Sequence, residues 1–434
     1  EISLGLVGSE MCIRDRASIL MVPLSVSGQL TLDECQRLAQ QNYPLLRKYE
    51  LIRQTTSYSV KNINKGYLPQ FAFNGQATYQ SDVATLPDAL SDMLESSGYD
   101  YKGLNKDQYK IGLDLNQVIW DGGNLEAQKK VTTLKGVAQM AQTDVDMYAI
   151  RDRVNNLFFG ILLIEDKIEL NEELQTLLSS NSRKLESMLA NGTAMKADVD
   201  VVKAEYLEAR QQMTELLSMK ESYQKMLSIF IGKEINAASS LQKPGAEMPA
   251  SYENLRPELS LFDTQFLQTN AELKLLNAGL KPKLSLFAQG YYGYPGYDMF
   301  NDMFNHDWTL NGTVGVRLSW NISKLYTYKH DKRKIALSAR QIETNRDVFL
   351  FNNSLLSTQD EISIRQYKKM MAEDEEIIHL RTSVRQAAEV KLEHGVIDVN
   401  NLLQEITREN QARIERSSHE IEMLKSIHEL KNTI

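Results

Sequence analysis

The side chains best suited to chemistry in this sequence are six histidines and one acidic run. The histidines are scattered along the second half of the chain: His306, His330, His379, His394, His419 and His428. His419 and His428 are nine residues apart, which is too far for a metal pair on adjacent helical turns. The acidic run 372–376 is typical of a solvated helix face. Because phosphate-binding glycine loops, His-Glu-x-x-His motifs and cysteine pairs are absent, the sequence predicts no enzyme, no metal site and no cofactor.

The longest element that positions these residues is a helix predicted over residues 123–190. After its first residue this stretch contains no proline, and its only glycines are Gly136 and Gly160. Apolar or small residues recur at steps of three and four: Val131, Leu134, Ala138, Ala141, Val145, Tyr148, Val154, Leu157, Ile161, Ile164 and Ile168. This pattern predicts a coiled-coil seam. At 1.5 Å per residue the helix makes a rod of about 100 Å.

Four segments alternate apolar and polar residues as β-strands do: 71–80, 108–118, 284–293 and 309–320. In the first, Phe71 and Phe73 point to one face, and Asn74 and Gln76 point to the other. A strand of ~9–11 residues with one apolar face is long enough to cross a bilayer at a tilt. Open strand edges are not tolerated in lipid, so several copies must combine to close a barrel. Three copies would give twelve strands, although the sequence does not fix that number.

The order helix, strand, loop, strand, long helix, turn and return helix occurs twice. The predicted division is a first copy over 29–236, an irregular linker over 237–256 and a second copy over 257–434. The predicted helices around the turns are 123–190 and 196–231 in the first copy, and 324–393 and 398–430 in the second. We expect the two shorter helices of each copy to lie end to end beside the long one.

The first residues of the chain are expected to lie outside the fold. Residues 1–16 resemble a translated sequencing-library adaptor, and residues 17–28 resemble the remnant of a secretory signal peptide. Cleavage before Gln29 would remove Cys12 and leave only Cys35, so no internal disulfide is expected. The sequence contains no run of about 18 apolar residues that would predict a transmembrane helix. Its net charge of −8 gives no sign of a nucleic-acid-binding surface.

Several local motifs accompany the duplication: Leu68-Pro69-Gln70 and Lys281-Pro282-Lys283 at the strand starts, Asp121-Gly122-Gly123 before the long helix, and Gly192 followed by Asp198-Val199. Together with the duplication they resemble the TolC-like outer-membrane efflux proteins (the outer-membrane factor family). The resemblance covers about residues 29–430. The second copy departs from it, because Lys324-Leu325-Tyr326 stands where the Asp-Gly-Gly turn is expected.

The resemblance implies a mainly α protein with a small β part. Its duplicated strand and long-helix hairpins would form a trimeric α-helical barrel joined to a transmembrane β-barrel, with four strands from each chain. Such a homotrimer lies in the outer membrane and extends into the periplasm. It serves as the exit duct of a tripartite efflux system for small molecules, and its partners are a periplasmic adaptor (membrane fusion) protein and an inner-membrane pump.

The resemblance also implies where the functional residues lie. Two hairpin tips would contact the adaptor, and they consist of Asn191, Gly192, Thr193, His394, Gly395 and Val396. The candidate pore entrance consists of Asp198, Asp200, Asp398, Asn401 and Gln404. Some family members carry aspartates where this chain has Asn401 and Gln404, so a closed ring at this level would here be built from amides. The three aspartates are equally well explained as acidic residues at helix N-termini, where the helix macrodipole favours them.

Other interpretations stay open at this point. The same architecture could serve as the exit channel of a type I protein secretion system. A soluble periplasmic coiled-coil scaffold is a third function, but it has no use for paired alternating strands. Aromatic residues near the second strand pair could form a membrane-interface girdle or could pack within a loop: Tyr291, Tyr292, Tyr294, Tyr297, Phe300, Phe304 and Trp308.

Overall fold

The computed structural model describes residues 30–235 and 240–434. The predicted adaptor sequence, the signal remnant and the cleavage site before Gln29 lie outside the described residues, as do residues 236–239 at the start of the linker. The described chain is mainly helical and has one small antiparallel sheet. This confirms the fold class at that level.

The first helix begins where the sequence offers an N-cap. The Thr31 hydroxyl accepts a hydrogen bond from the backbone N–H of Glu34 at 3.2 Å, and α1 runs over Leu32–Asn42. The chain turns at Pro44, and α2 continues over Leu46–Asn64. A short 3₁₀ helix then leads into the first strand.

The other elements follow in an order that repeats from strand to return helix. They are β1 (Gln70–Tyr79), α3 (Asp88–Ser96), β2 (Asp107–Trp120), α4 (Asn124–Tyr148), α5 (Ile150–Ala190), α6 (Lys196–Ile231), α7 (Pro257–Ala278), β3 (Lys283–Tyr294), α8 (Met299–Phe304), β4 (Thr309–Ser319), α9 (Lys324–Glu393) and α10 (Val399–Thr433). Helices α2 and α7 lie against α4, while α6 and α10 lie against α5. Helix α9 packs on α7 and then on α10, so two shorter helices do accompany each long stretch.

Two features differ from the sequence-based expectation. The long helix of the first copy is divided into α4 and α5 at Ala149, although this residue keeps helical φ and ψ angles of −60° and −15°, whereas α9 runs unbroken. The interruption adjoins Tyr148, whose hydroxyl donates to the carbonyl of Asn432 at 3.0 Å and whose ring faces the guanidinium of Arg151 at 4.7 Å. The second difference is that both loops between paired strands contain a short helix, α3 and α8.

The four strands form one sheet in the order β1-β2-β3-β4, with antiparallel neighbours throughout. The register places Phe73 opposite Leu113, Leu113 opposite Gly290, and Leu286 opposite Val316. Because side chains alternate along a strand, these pairs put the apolar residues of all four strands on one face. Within the described chain this face is uncovered, and Phe73 is 76% exposed.

The main core lies where α1, α5, α6 and α10 meet. Val154 and Ile161 from the predicted seam are fully buried there, together with Phe158, which the seam did not include. Cys35 lies in the same core, and burial raises the pKa of its thiol to about 12. The thiol is therefore protonated and shielded, and it serves as a small apolar side chain. Within the described ranges, no helix combines the length and the apolar composition needed to cross a membrane.

A histidine in this core makes stability depend on pH. The ring of His428 lies 5.6 Å from the ring of Phe159, and its Nε2 is buried without a hydrogen-bond partner among the described residues. Burial, with a smaller contribution from Lys431, lowers the pKa of His428 to about 4. Between about pH 6.5 and 4 the unfolded chain therefore binds more protons than the folded chain, and the free energy of unfolding falls as the pH falls.

We expect the His428→Leu variant to lose part of this pH dependence. The drop in unfolding free energy between pH 7 and pH 5 should shrink by on the order of 1 kcal/mol relative to the parent chain, after allowance for partial solvent screening. Urea unfolding of the purified protein at both pH values measures the difference. Identical pH dependence in the two proteins would contradict this assignment.

Candidate functional site at the hairpin tips

The two long hairpins end in turns with the same backbone geometry. Gly192 and Gly395 have φ angles of +76° and +67°, in the left-handed region that favours glycine. In the first tip the N–H of Thr193 donates to the carbonyl of Met188 at 2.9 Å, which closes the last helical turn. In the second tip the N–H of Val396 donates to the carbonyl of Lys391 at 2.8 Å. The two tips are therefore the same structural motif.

All six predicted tip residues are exposed, and no heavy atom lies within 4 Å of the Cβ position at either tip glycine. Val396, the apolar member of the six, is 68% exposed. Lys184 of α5 and Glu393 of α9 form an ion pair at 3.2 Å just above the turns, so the two tips lie at the same end of the molecule. Together they present one free surface.

A second apolar cluster holds the hairpins together behind this surface. It combines Leu185 of α5, Val199 and Val202 of α6, and Leu402 and Ile406 of α10. The residues recur at steps of three and four along each helix, as the predicted seams require. The tips are consequently fixed to a packed base and do not hang from separate helices.

Two of the three predicted entrance carboxylates act as helix caps. Asp198 Oδ2 accepts a hydrogen bond from the N–H of Met195 at 2.8 Å, and Asp398 Oδ1 accepts one from the N–H of Asn401 at 2.8 Å. These bonds satisfy N–H groups that have no partner inside their helices. The structure thus brings Asp398 and Asn401 together, although through the backbone of Asn401. Asp200, Asn401 and Gln404 have exposed side chains on the first turns of α6 and α10.

Two substitutions of Asp398 separate the capping role from the charge. We expect Asp398→Ala to lower the free energy of unfolding by about 1 kcal/mol, because the N–H of Asn401 loses its acceptor. The Asp398→Asn variant keeps an acceptor oxygen, so its free energy of unfolding should be close to that of the parent chain. Denaturant unfolding of both variants measures the effect, and equal losses would mean that the charge itself is required for stability.

A buried ionic network above the tips was not predicted from the sequence. Glu409 of α10 is 5% exposed and accepts hydrogen bonds from Thr382 and Arg385 of α9 and from Arg413 of its own helix. Burial raises the pKa of Glu409, but hydrogen bonds from Arg385, Thr382 and Arg413 outweigh it and hold the pKa below its usual value. Arg413 also donates to Glu173 of α5 at 3.3 Å, which links the two hairpins.

The sequence signal for this network is weak. The Glu409-Arg413 and Arg385-Glu389 pairs have the i, i+4 spacing that is common on solvated helix faces. Only the packing of α9 against α10 shows that these two ion pairs meet at a buried interface between the helices.

The acidic run 372–376 also differs from its expected solvated state at one position. Asp374 is 7% exposed, and its Oδ2 lies 2.7 Å from Nδ1 of His419 on α10. The reason is helical geometry, since one residue of the run faces the adjacent helix while its neighbours face solvent. Among the described residues there is no group of three or more potential metal ligands.

The strand starts are set by the predicted prolines and by one aspartate. Pro69 precedes β1 and Pro282 precedes β3 by a single residue. After β2, the carboxylate of Asp121 accepts from the N–H of Gly123 at 2.9 Å and from that of Leu125 at 2.6 Å. In the second copy, where this motif is missing, Nε1 of Trp320 donates to the carbonyl of Leu280 at 2.8 Å.

The aromatic residues of the outer loop fall into two groups. Tyr294 is buried, and its hydroxyl donates to the carbonyl of Asp302, so it packs within the loop. Trp308 and Tyr292 are exposed at the end of the apolar sheet face, with ring centroids 5.5 Å apart. Loop packing and an exposed aromatic edge therefore both occur.

Comparison with solved structures identifies the same architecture elsewhere. The outer-membrane channel OprN aligns over 93% of this chain and 89% of its own, with a TM-score of 0.67 and 12% identity. The Campylobacter jejuni outer-membrane channel CmeC aligns over 93% and 85%, with a TM-score of 0.65 and 12% identity. The Vibrio cholerae outer-membrane protein VceC aligns over 92% and 95%, with a TM-score of 0.65 and 14% identity.

No family model and no curated protein matches the sequence. The structural matches confirm, at the level of the fold, the TolC-like resemblance predicted from the sequence. Two of the three are described as outer-membrane channels.

Proposed function

We propose, from the TolC-like channel fold of this chain, that it is one subunit of a trimeric outer-membrane channel. The channel would be the exit duct of a tripartite efflux system for small molecules. The observation that carries the proposal is the uncovered apolar face of the four-stranded sheet. Many large apolar residues on this face are exposed, among them Phe71, Phe73, Ile111, Leu113, Leu286, Leu310, Val314, Val316 and Leu318.

An apolar face of this extent needs an apolar environment. The strands are 10, 14, 12 and 11 residues long, so each is long enough to cross the hydrocarbon layer at a tilt. The opposite face carries polar residues such as Asn74 and Asp114, which suit a water-filled interior. Strands β1 and β4 are the sheet edges, and pairing with further copies would leave no open edge in lipid.

The tips fit the role of a periplasmic docking surface. They are exposed, share one backbone motif and lie at the helical end of the molecule, away from the sheet. A periplasmic adaptor that recognises one tip could therefore recognise the other in the same way. The adaptor would join the tips to an inner-membrane pump, and the candidate entrance residues would surround the opening.

Expression of the full chain with membrane fractionation tests the proposal. We expect the protein in the outer-membrane fraction, as a trimer by cross-linking, and we expect purified trimers to form conducting channels in planar bilayers. Recovery as a water-soluble periplasmic protein would overturn the channel and favour a coiled-coil scaffold.

Site-specific photo-cross-linking in cells tests the docking surface. A cross-linker at Val396 in the second tip should capture the adaptor, whereas one at Tyr252, which is 56% exposed in the linker, should not. Equal capture at both positions, or capture only at Tyr252, would contradict tip docking.

A further inference from the structure

The polar face of the sheet carries an uneven set of charges. Four charged residues of the strands belong to this face by their register: Lys110, Asp114, Lys283 and Arg317. Three are cations and one is a carboxylate, although the whole chain is acidic with a net charge of −8. The sheet therefore has a local charge of opposite sign to that of the whole chain.

Two of the cations are held on aromatic rings. Lys110 Nζ lies 4.9 Å from the ring centroid of Tyr291, and the guanidinium of Arg317 lies 4.5 Å from that of Phe287. The contacts are electrostatically favourable because the ring faces are electron-rich, and they leave the positive charge in place. Neither cation forms an ion pair within the part of the chain that the structure describes.

The two aromatic rings that contact these cations are held in position by contacts of their own. Tyr291 is 8% exposed, and its hydroxyl donates to the carbonyl of Pro295 at 3.3 Å. A Cβ at Gly315 would lie 2.8 Å from the ring of Phe287, so glycine at this position lets the ring lie against the strand. The cations consequently occupy defined places along the face.

The one carboxylate of this face has another partner. Asp114 accepts a hydrogen bond from the side-chain amide of Asn74 on β1. It lies four residues along β2 from Lys110 on the same face, which is about 13 Å and beyond contact. The Asp114 carboxylate therefore bonds to a neutral amide and does not pair with Lys110. Both ring-bound cations remain able to interact with solutes.

We propose that this face makes the strand section of the channel prefer anions and anionic groups of solutes over cations. This inference rests on the proposed function, in which the polar face lines the pore and each residue occurs three times around it. Rings of lysine or arginine side chains lower the energy of an anion in a narrow pore and raise that of a cation. Lys110 and Arg317 are the residues that determine the preference.

The test is the reversal potential of purified trimers in planar bilayers under a KCl gradient. We expect the potassium-to-chloride permeability ratio to rise roughly twofold or more in the Lys110→Gln, Arg317→Gln double variant. Each single variant should give a smaller rise in the same direction. Conductance and trimer content confirm that the variants are assembled.

The matched control is Lys61→Gln. Lys61 also lies over a tyrosine ring, that of Tyr58 at 5.6 Å, but it belongs to α2 outside the strands. Its removal should leave the permeability ratio at the parent value. An unchanged ratio in the double variant, or an equal rise in the control, would overturn the assignment to the sheet. Failure of the parent protein to conduct would overturn the proposed channel and this inference with it.

Discussion

Replacing Glu409 with alanine is expected to lower the free energy of unfolding by about 3 kcal/mol. The substitution removes the acceptor shared by Thr382, Arg385 and Arg413 at a position that is only 5% exposed. Arg385, whose side chain is 13% exposed, would lose Glu409 and keep only Glu389 as a carboxylate partner. Removing one partner from a buried ionic network costs far more than the intact pair contributes. Denaturant unfolding of the solubilised protein measures the loss.

The Glu221→Ala variant is the control for this prediction. Glu221 also pairs with a cation four residues along its own helix, Lys225, but both side chains are largely exposed. Solvent-exposed pairs of this kind contribute little, so the control should unfold like the parent chain. Similar losses of unfolding free energy in the two variants would contradict the role assigned to Glu409.

The Glu409 site also predicts a pH dependence. The folded-state pKa of this carboxyl is lowered from its ordinary value of 4.5, so the folded state holds the charged form more tightly than the unfolded chain does. Its stabilising contribution is complete above about pH 5 and is lost as the pH falls through the folded-state pKa. The alanine variant should therefore lose less stability than the parent protein in acid below pH 4.5.

Gly293→Ala is the second substitution with a large expected effect. Gly293 of β3 pairs with Lys110 of β2, and a Cβ there would lie 2.2 Å from the backbone oxygen of Tyr109. Backbone atoms cannot move aside as a flexible side chain can, so the β2–β3 pairing must shift. Overpacking of this kind costs about 1–3 kcal/mol. For the proposed trimeric channel we expect roughly tenfold less assembled trimer, as measured by cross-linking of membrane fractions.

Gly75→Ala provides the comparison within the same sheet. Gly75 lies in β1, and no heavy atom lies within 4 Å of its Cβ position. This variant should assemble like the parent chain, because alanine meets nothing there and restricts the unfolded chain slightly. Normal assembly of Gly293→Ala would mean that β2 and β3 are not held as closely as the structure indicates.

The sequence predicts this fold well where the signal is local. Glycines with positive φ end the long helices at Gly192 and Gly395, and prolines mark the starts of β1 and β3. Period-two alternation identifies the apolar face of the sheet, because each strand carries the pattern independently. The break at Ala149 has no such signal, since neither proline nor glycine lies there.

The functional residues show the same difference between local signals and tertiary packing. The tips can be found from sequence because a glycine turn between long helices is visible in one short stretch. The Glu409 network and the cations on Tyr291 and Phe287 depend on which helices and strands become neighbours. Asp374 shows the same limit, because its burial depends on the position of His419 on another helix.

The first tip lies far from the point where its helix is divided. Helix α5 extends 41 residues from Ala149 to the first tip, which is a distance of about 60 Å. Displacement grows in proportion to helix length, so a bend of about 5° near Ala149 would move the end of the helix sideways by about 5 Å. Because the apolar cluster behind the tips joins α5 to α6 and α10, such a bend would carry both tips together.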